Sequence, residues 1–427
     1  MIQYQLKRYR WYNHLNKTNK HEAYIAIVIA WLFYFVGIVS KVEFGVIKWD
    51  LQNIFGLDNA TIGFYSSLAY YIYALLQIPY GILIDKIETK KIISICSGIC
   101  GCGVLLLGLS SIMHSINMVK MARILIGASV APAFLCCCKI SGEFFREKYS
   151  LMMAISTCIG CIGGLCATTC TEILVKKYGW QRVTFGIVLL CYVVSFLSYL
   201  FMPSKIQIEH GKKNGAPSIN IRKNIVSIAK DPRMWLAAYY GCACYIPISA
   251  LAELWIIPFA KLRYPDITYT TIASGLIMVG FGMGGLFTEF VAKKINSYKR
   301  AMNIASAFMI ILFVTAVYCN TLSYTVFLVA LFFGAMCSGS NTLAFGIGYT
   351  FCKPGYAGLS GSFINTIVSL SGILQMLLGN ILSSQRSIDG IDTIEMYQKT
   401  FVLVIILMFL AFVFSMIIPN VKPQREE

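Results

Sequence analysis

Residues 203–233, PSKIQIEHGKKNGAPSINIRKNIVSIAKDPR, are the only long polar insertion in a chain of 427 residues that is 57% hydrophobic and 13% charged. Six apolar stretches precede it, at 22–43, 60–83, 92–113, 116–139, 149–174 and 183–202. Six follow it, at 234–258, 270–292, 301–319, 323–347, 357–382 and 399–418. Each is long enough to cross a bilayer, which takes about 20 mostly apolar residues at a rise of about 1.5 Å per residue. So much apolar side chain exceeds what a soluble core of this length encloses, and lipid must cover the excess. The expected fold is an all-α membrane protein of twelve transmembrane helices in two pseudo-symmetric six-helix bundles. Its parts are an N-terminal segment 1–21, a first half 22–202, the linker 203–233, a second half 234–418 and a tail 419–427. A pattern of six helices, a linker and six more is what a transporter of two related halves produces, with its substrate held between them near the midplane.

The formal charge of +17 would suit nucleic acid if the cations formed a continuous patch, but their positions follow topology instead. One side collects Lys7, Arg8, Arg10, Lys17 and Lys20, then Lys86, Lys90 and Lys91, then Lys139, Arg146 and Lys148, the linker cations and the 293–300 loop. The other side holds fewer, among them Lys41, Lys48, Lys120 and Lys261. This bias places both termini in the cytoplasm, with anionic lipid against the basic face, and argues against nucleic acid as a partner. The segment 1–21 is polar and basic, so no cleavable signal peptide is expected.

The 16 Cys lie mostly within apolar helices, where buried thiols behave as small hydrophobes. Cys158 and Cys161 are formally C-x-x-C, but no second pair or His cluster follows at zinc spacing, and no metal site is expected. Glycines recur at spacings of three or four, as at Gly160/Gly163/Gly164 and Gly280/Gly284, which lets helix backbones approach closely in lipid. They serve either static packing or sliding contacts.

An ionisable group costs roughly 2.5–3.5 kcal/mol in a membrane helix, which makes each one a functional candidate. Arg123 is the deepest, followed by Lys41, Lys139 and Glu253, the lysines being close enough to a face to snorkel. Glu22, Glu43, Glu172 and Glu289 fall at helix ends and are expected to be solvated. Among neutral polar groups, Tyr34, Tyr70, Tyr73, Gln77, Asn365 and Gln375 need partners on other helices or on a substrate, and Trp255 offers a stacking surface. Tyr70, Tyr73 and Gln77 share one helix face. Pro247 and Pro258 should loosen the seventh helix around Glu253. No hydrolytic motif and no P-loop is present, so neither an enzyme nor a cofactor is expected, and transport must run on a gradient.

The run Gln77-Ile78-Pro79-Tyr80-Gly81, with Asp85-Lys86 and Lys90-Lys91, resembles the loop 2–3 signature of the major facilitator superfamily, and Arg123-x-x-x-Gly127 resembles its helix 4 motif. The resemblance implies the major facilitator fold, a conformational latch at Gly81, Asp85, Lys86, Lys90 and Lys91, and proton coupling through Arg123. Glu88 stands where that signature has Gly, and Lys293 where the second half has an acidic residue. Leu32-Phe33-Tyr34-Phe35 with Lys41, Gly179-Trp180-Gln181-Arg182, Glu253-Leu254-Trp255-Ile256-Ile257-Pro258-Phe259 and Ala357-Gly358-x-x-Gly361 with Asn365, Gly372 and Gln375 are similar to the phagosomal transporter (Pht) family of intracellular bacteria. That resemblance implies an inner-membrane importer of amino acids or nucleosides.

The expected function is therefore a monomeric secondary transporter that imports a small polar metabolite with protons. A zwitterionic amino acid would find cations at Lys41 and Arg123 and acceptors at Glu253 and Asn365, with Arg123 and Glu253 carrying the coupling. The alternatives are an exporter of drugs or metallophores, an importer of nucleosides or organic anions, and a membrane receptor that no longer transports.

Overall fold

The computed structural model describes residues 18–145, 149–203, 227–351, 357–385 and 392–421. The inter-half linker and the N-terminal segment thus fall almost wholly outside the described residues. Among the described residues, twelve helices are long and apolar enough to span a membrane. In the first half they are α1 (His21–Gly45), α2 (Asn59–Ile84), α3 (Thr89–Ile112), α4 (Ile116–Ser141), α5 (Ile155–Tyr178) and α6 (Trp180–Phe201). In the second they are α7 (Pro232–Arg263), α8 (Thr271–Ile295), α9 (Tyr298–Tyr318), α10 (Tyr324–Gly348), α11 (Ser360–Gln385) and α12 (Ile394–Ile417). Several starts are set by side chains that satisfy the first free N–H groups of a helix. Asp58 accepts from Thr61, Ser297 from Arg300, Ser323 from Val326 and Thr393 from Met396. Asp231 accepts from Arg233 just before Pro232, a residue suited to a first helical turn.

Helix contacts repeat with a shift of six. The pairs α3/α6, α3/α4, α2/α4, α1/α5 and α1/α6 have counterparts in α9/α12, α9/α10, α8/α10, α7/α11 and α7/α12. Between the halves, α2 packs on α11 and α5 on α8, two seams that exchange under the same shift. This is the pattern of two related bundles about a two-fold axis. With twelve spans, the start of α1 and the end of α12 lie on one face, called here the terminal face.

The departures from regular α-helix also come in pairs related by that shift. α1 ends in a 3₁₀ turn at Glu43–Gly45, and α7 winds with wider i→i+5 turns over Pro247–Trp255. α4 is interrupted at Ala131–Pro132 and α10 at Gly339–Ser340. α5 widens over Cys166–Cys170, and α11 tightens over Leu370–Ile373. Such irregular backbone is stable at membrane depth only inside the protein or along a cavity, so these six helices mark the axis of the molecule. The expectation for α7 holds. Its wide stretch begins at Pro247, which lacks an N–H, and regular winding returns at Ile256, just before Pro258.

Candidate functional site

Three of the irregular segments meet in the middle of the bundle. The end of α1 abuts the wide stretch of α7 so closely that a Cβ added at Gly45 would lie 2.0 Å from the Glu253 carbonyl oxygen. Just below, Lys41 of α1 faces Glu253 of α7. Nζ of Lys41 is 3.3 Å from Oε1 of Glu253, with each side chain only 5% exposed, and it donates a hydrogen bond of 3.0 Å to the Tyr70 hydroxyl. The same ammonium lies 4.1 Å from the centre of the Tyr70 ring and 5.9 Å from that of Tyr73. Gln375 of α11 completes the cluster. Its side-chain amide donates to the Ser249 carbonyl and, at 3.5 Å, to Oε2 of Glu253, while its backbone carbonyl accepts from the Trp255 indole at 3.1 Å. A buried ion pair therefore bridges the two halves, held by a phenol on one side and an amide on the other.

Arg123 is beside this pair but not part of it. Its guanidinium donates to the backbone carbonyls of Tyr65 (3.1 Å), Lys41 (3.0 Å) and Ser66 (2.8 Å) and stacks 4.6 Å from the Phe44 ring. The planar fork thus ties α4 to α1 and α2. We expect Arg123→Lys, whose single ammonium cannot span three carbonyls, to lose two charge-assisted bonds of about 1.5–3 kcal/mol each. The thermal midpoint of the purified protein should fall by about 5 °C or more. An unchanged midpoint with lost transport would instead put Arg123 on the substrate.

The other singled-out residues divide by depth. Gln77 of α2 donates to the Ala131 carbonyl at the break in α4 (3.0 Å) and accepts from Asn365 of α11 (3.1 Å). Among the described residues this is the cross-half hydrogen bond nearest the terminal face. Tyr34 packs against Phe134, ring centres 5.6 Å apart, and against Gly160. Trp255 is fully buried, with the Lys48 ammonium 4.2 Å from its ring. Lys139 reaches the Ile84 carbonyl, and Tyr240 and Asn341 bond Ser340 and the Gly241 carbonyl, so these serve helix packing. Of the latch residues, the side chains of Asp85 and Lys86 lie outside the described residues. Lys91 forms a surface pair with Glu88 at 3.4 Å, and Lys90 sits 5.7 Å from the Tyr199 ring.

Toward the face opposite the termini the halves are sealed. Asn59 donates to Asp392 (3.2 Å), the Ala60 N–H to Ser383 (2.9 Å), and Ser67 to the Gly372 carbonyl (2.8 Å) along the α2/α11 seam. Along α5/α8, Thr271 donates to Glu172, which also pairs with Lys176 at 2.9 Å. Two expectations need correction here. Glu43, read as a solvated helix end, is fully buried, with Thr184 donating to its Oε1. Glu172 is likewise engaged across the seam rather than simply solvated. The signal for Glu43 was present in its neighbours: Val42, Phe44, Gly45, Val46 and Ile47 continue the apolar run past it.

Comparison with known proteins agrees with this architecture. The chain is 21% identical over 403 residues to the probable galactarate/D-glucarate transporter GudP of Escherichia coli (strain K12), covering 84% of this chain and 88% of that protein. It is also 21% identical over 390 residues to the probable sulfoacetate transporter SauU of Cupriavidus necator, covering 84% and 87%. Among solved structures, the bacterial homologue of the human lysosomal transporter Spinster, inward-facing and occupied, superposes with a TM-score of 0.73 at 14% identity over 92% of this chain and 96% of that one. A mutant form of the nucleoside transporter NupG superposes with a TM-score of 0.71 at 12% identity over 93% and 99%. Residues 24–376 match the Major Facilitator Superfamily as a whole. Twelve spans in two bundles related by a shift of six helices, and a family match across most of its length, make this multi-pass membrane protein a secondary transporter of the Major Facilitator Superfamily.

Proposed function

We propose that the protein imports an organic anion of the sugar-acid type together with protons, across a bacterial inner membrane, with both termini in the cytoplasm. The observation that carries this reading is the buried Lys41–Glu253 pair between the halves. A substrate carboxylate can replace the Glu253 carboxylate on Lys41, and the charge of the site is kept only if a proton enters with it. Two carboxylates then share one ammonium in a water-poor setting, which is costly unless one takes up a proton. The substrate carboxylate keeps its charge to hold Lys41, so the proton goes to Glu253, which stays with the protein, and this couples the two fluxes. Substrate hydroxyls would be met by the Tyr70 phenol, the Ser249–Ser371 pair (2.8 Å) and the Gln77–Asn365 amides.

The relatives' names support an anion over the amino acid expected from sequence. Galactarate, glucarate and sulfoacetate are all anions that need a cation and no ammonium acceptor. The nucleoside reading, including that implied by the Pht resemblance, needs an open aromatic face. Tyr70 is closed on one side by the Lys41 ammonium and on the other by Gly372, where an added Cβ would come 2.1 Å from the ring. The test is flux in proteoliposomes. Labelled galactarate or glucarate should accumulate under an inward proton gradient and lose accumulation when a protonophore is added. Anion efflux driven only by proton entry would turn the reading to export. No flux of either anion, with flux of zwitterionic amino acids, would restore the amino-acid reading.

A further inference from the structure

We infer that Glu43 is a second proton-binding site, separate from Glu253, which holds its proton while the face opposite the termini is closed and releases it to water when that face opens. Glu43 lies in the 3₁₀ turn at the end of α1, is 0% exposed, and accepts through Oε1 from the Thr184 hydroxyl of α6. Its Oε2 is buried with no hydrogen-bond partner among the described residues. A carboxylate in such a place would leave a full charge with one neutral donor, which burial makes costly. A carboxylic acid, proton on Oε2, leaves one neutral hydroxyl unmet in place of a full charge.

Among the described residues no cation forms a direct ion pair with Glu43, and the nearest charge, that of Arg123, acts on it only through space. On its own helix, Lys41 points to Glu253 and Tyr70. From α4, the Arg123 guanidinium is committed to three backbone carbonyls and to the Phe44 ring. α3 and α6 contribute the thiols of Cys100 and Cys191. The wide turn of α5 packs against the same turn, and α7 contributes Glu253, whose carbonyl oxygen lies against Gly45. The last contact ties the proton to conformation. Glu43 and Gly45 belong to one turn, so parting α1 from Glu253 of α7 opens the turn to water, which can hydrate Oε2 and take its proton. The proton moves from the carboxyl to that water and no other bond changes.

The test reads the carboxyl directly and needs no substrate, so its outcome is independent of the anion reading. In infrared difference spectra of the purified protein, the C=O band of a protonated, water-excluded carboxyl should be present in wild type and lost in Glu43→Gln. In Thr184→Val the same band should shift to higher frequency as its hydrogen bond is lost. A band unchanged in both variants, and lost in Glu253→Gln instead, overturns the assignment. In proteoliposomes carrying the anion, the proton-to-substrate ratio from reversal potentials should fall by one in Glu43→Gln. An unaltered ratio together with an unaltered band leaves Glu43 a packing residue.

Discussion

Lys41→Gln will weaken binding of the transported anion about ten- to hundredfold, because a charge-assisted hydrogen bond contributes about 1.5–3 kcal/mol. The same substitution strands Glu253 in a buried site, and breaking one side of a buried pair costs about 3–5 kcal/mol of stability. The two effects separate in the double variant Lys41→Gln/Glu253→Gln, where two neutral amides can bond each other. Its thermal midpoint should return toward wild type while anion binding stays lost. Glu253→Gln alone keeps the cation and removes the carboxylate proposed to take the proton, so it should exchange substrate across the membrane but not accumulate it uphill. Thermal shift with and without galactarate, counterflow and gradient-driven uptake give all four corners of the cycle. Full accumulation in Glu253→Gln would take coupling away from this pair. Wild-type affinity in Lys41→Gln would place the anion elsewhere in the bundle.

How far this site can be read from sequence depends on which distances the sequence encodes. The twelve spans are legible because each must carry its own apolar run, whatever its neighbours do. Lys41 and Glu253 are legible as separate charges at membrane depth, and so is the disturbance of α7 by Pro247. Their pairing is not, since the long chain between them, linker included, places no limit on which helices meet. Pairing Lys41 with Arg123 as two cations for one substrate follows from depth alone. In the structure the guanidinium takes three backbone carbonyls as its partners, which no side-chain pattern reveals. Glu43 fails for a related reason: position near a helix end predicts solvation only where the following turn leaves the membrane, and here the chain runs on through buried Phe44 and Ile47. The paired irregularities of α1/α7, α4/α10 and α5/α11 come from different residues in each half. Apart from the one at Pro247, they emerge only from the backbone, although they mark the helices that carry the site.

Gly45→Ala should hold the face opposite the termini open and lower net transport, while leaving the protein folded. The added Cβ would meet the Glu253 carbonyl at 2.0 Å, a backbone atom that cannot swing aside. Both partners belong to different halves, so the strain is relieved when the halves separate. Overpacking of this kind costs about 1–3 kcal/mol, enough to shift a two-state equilibrium about five- to hundredfold. Gly284→Ala gives the contrast. Its Cβ would meet the Met336 carbonyl at the same 2.0 Å, but α8 and α10 belong to one half and have no open state to retreat to. That variant should lose folded yield instead. Hydrogen exchange reads the difference at named amides: the Ala60 N–H bonded to Ser383 and the Met376 N–H bonded to Ser67 (3.0 Å) both cross the α2/α11 seam. In Gly45→Ala they should exchange faster, with the amides inside α3 and α9 unchanged. Slow exchange at both amides would mean that the α1–α7 contact yields locally, and the close approach at Gly45 would then be packing without a role in opening.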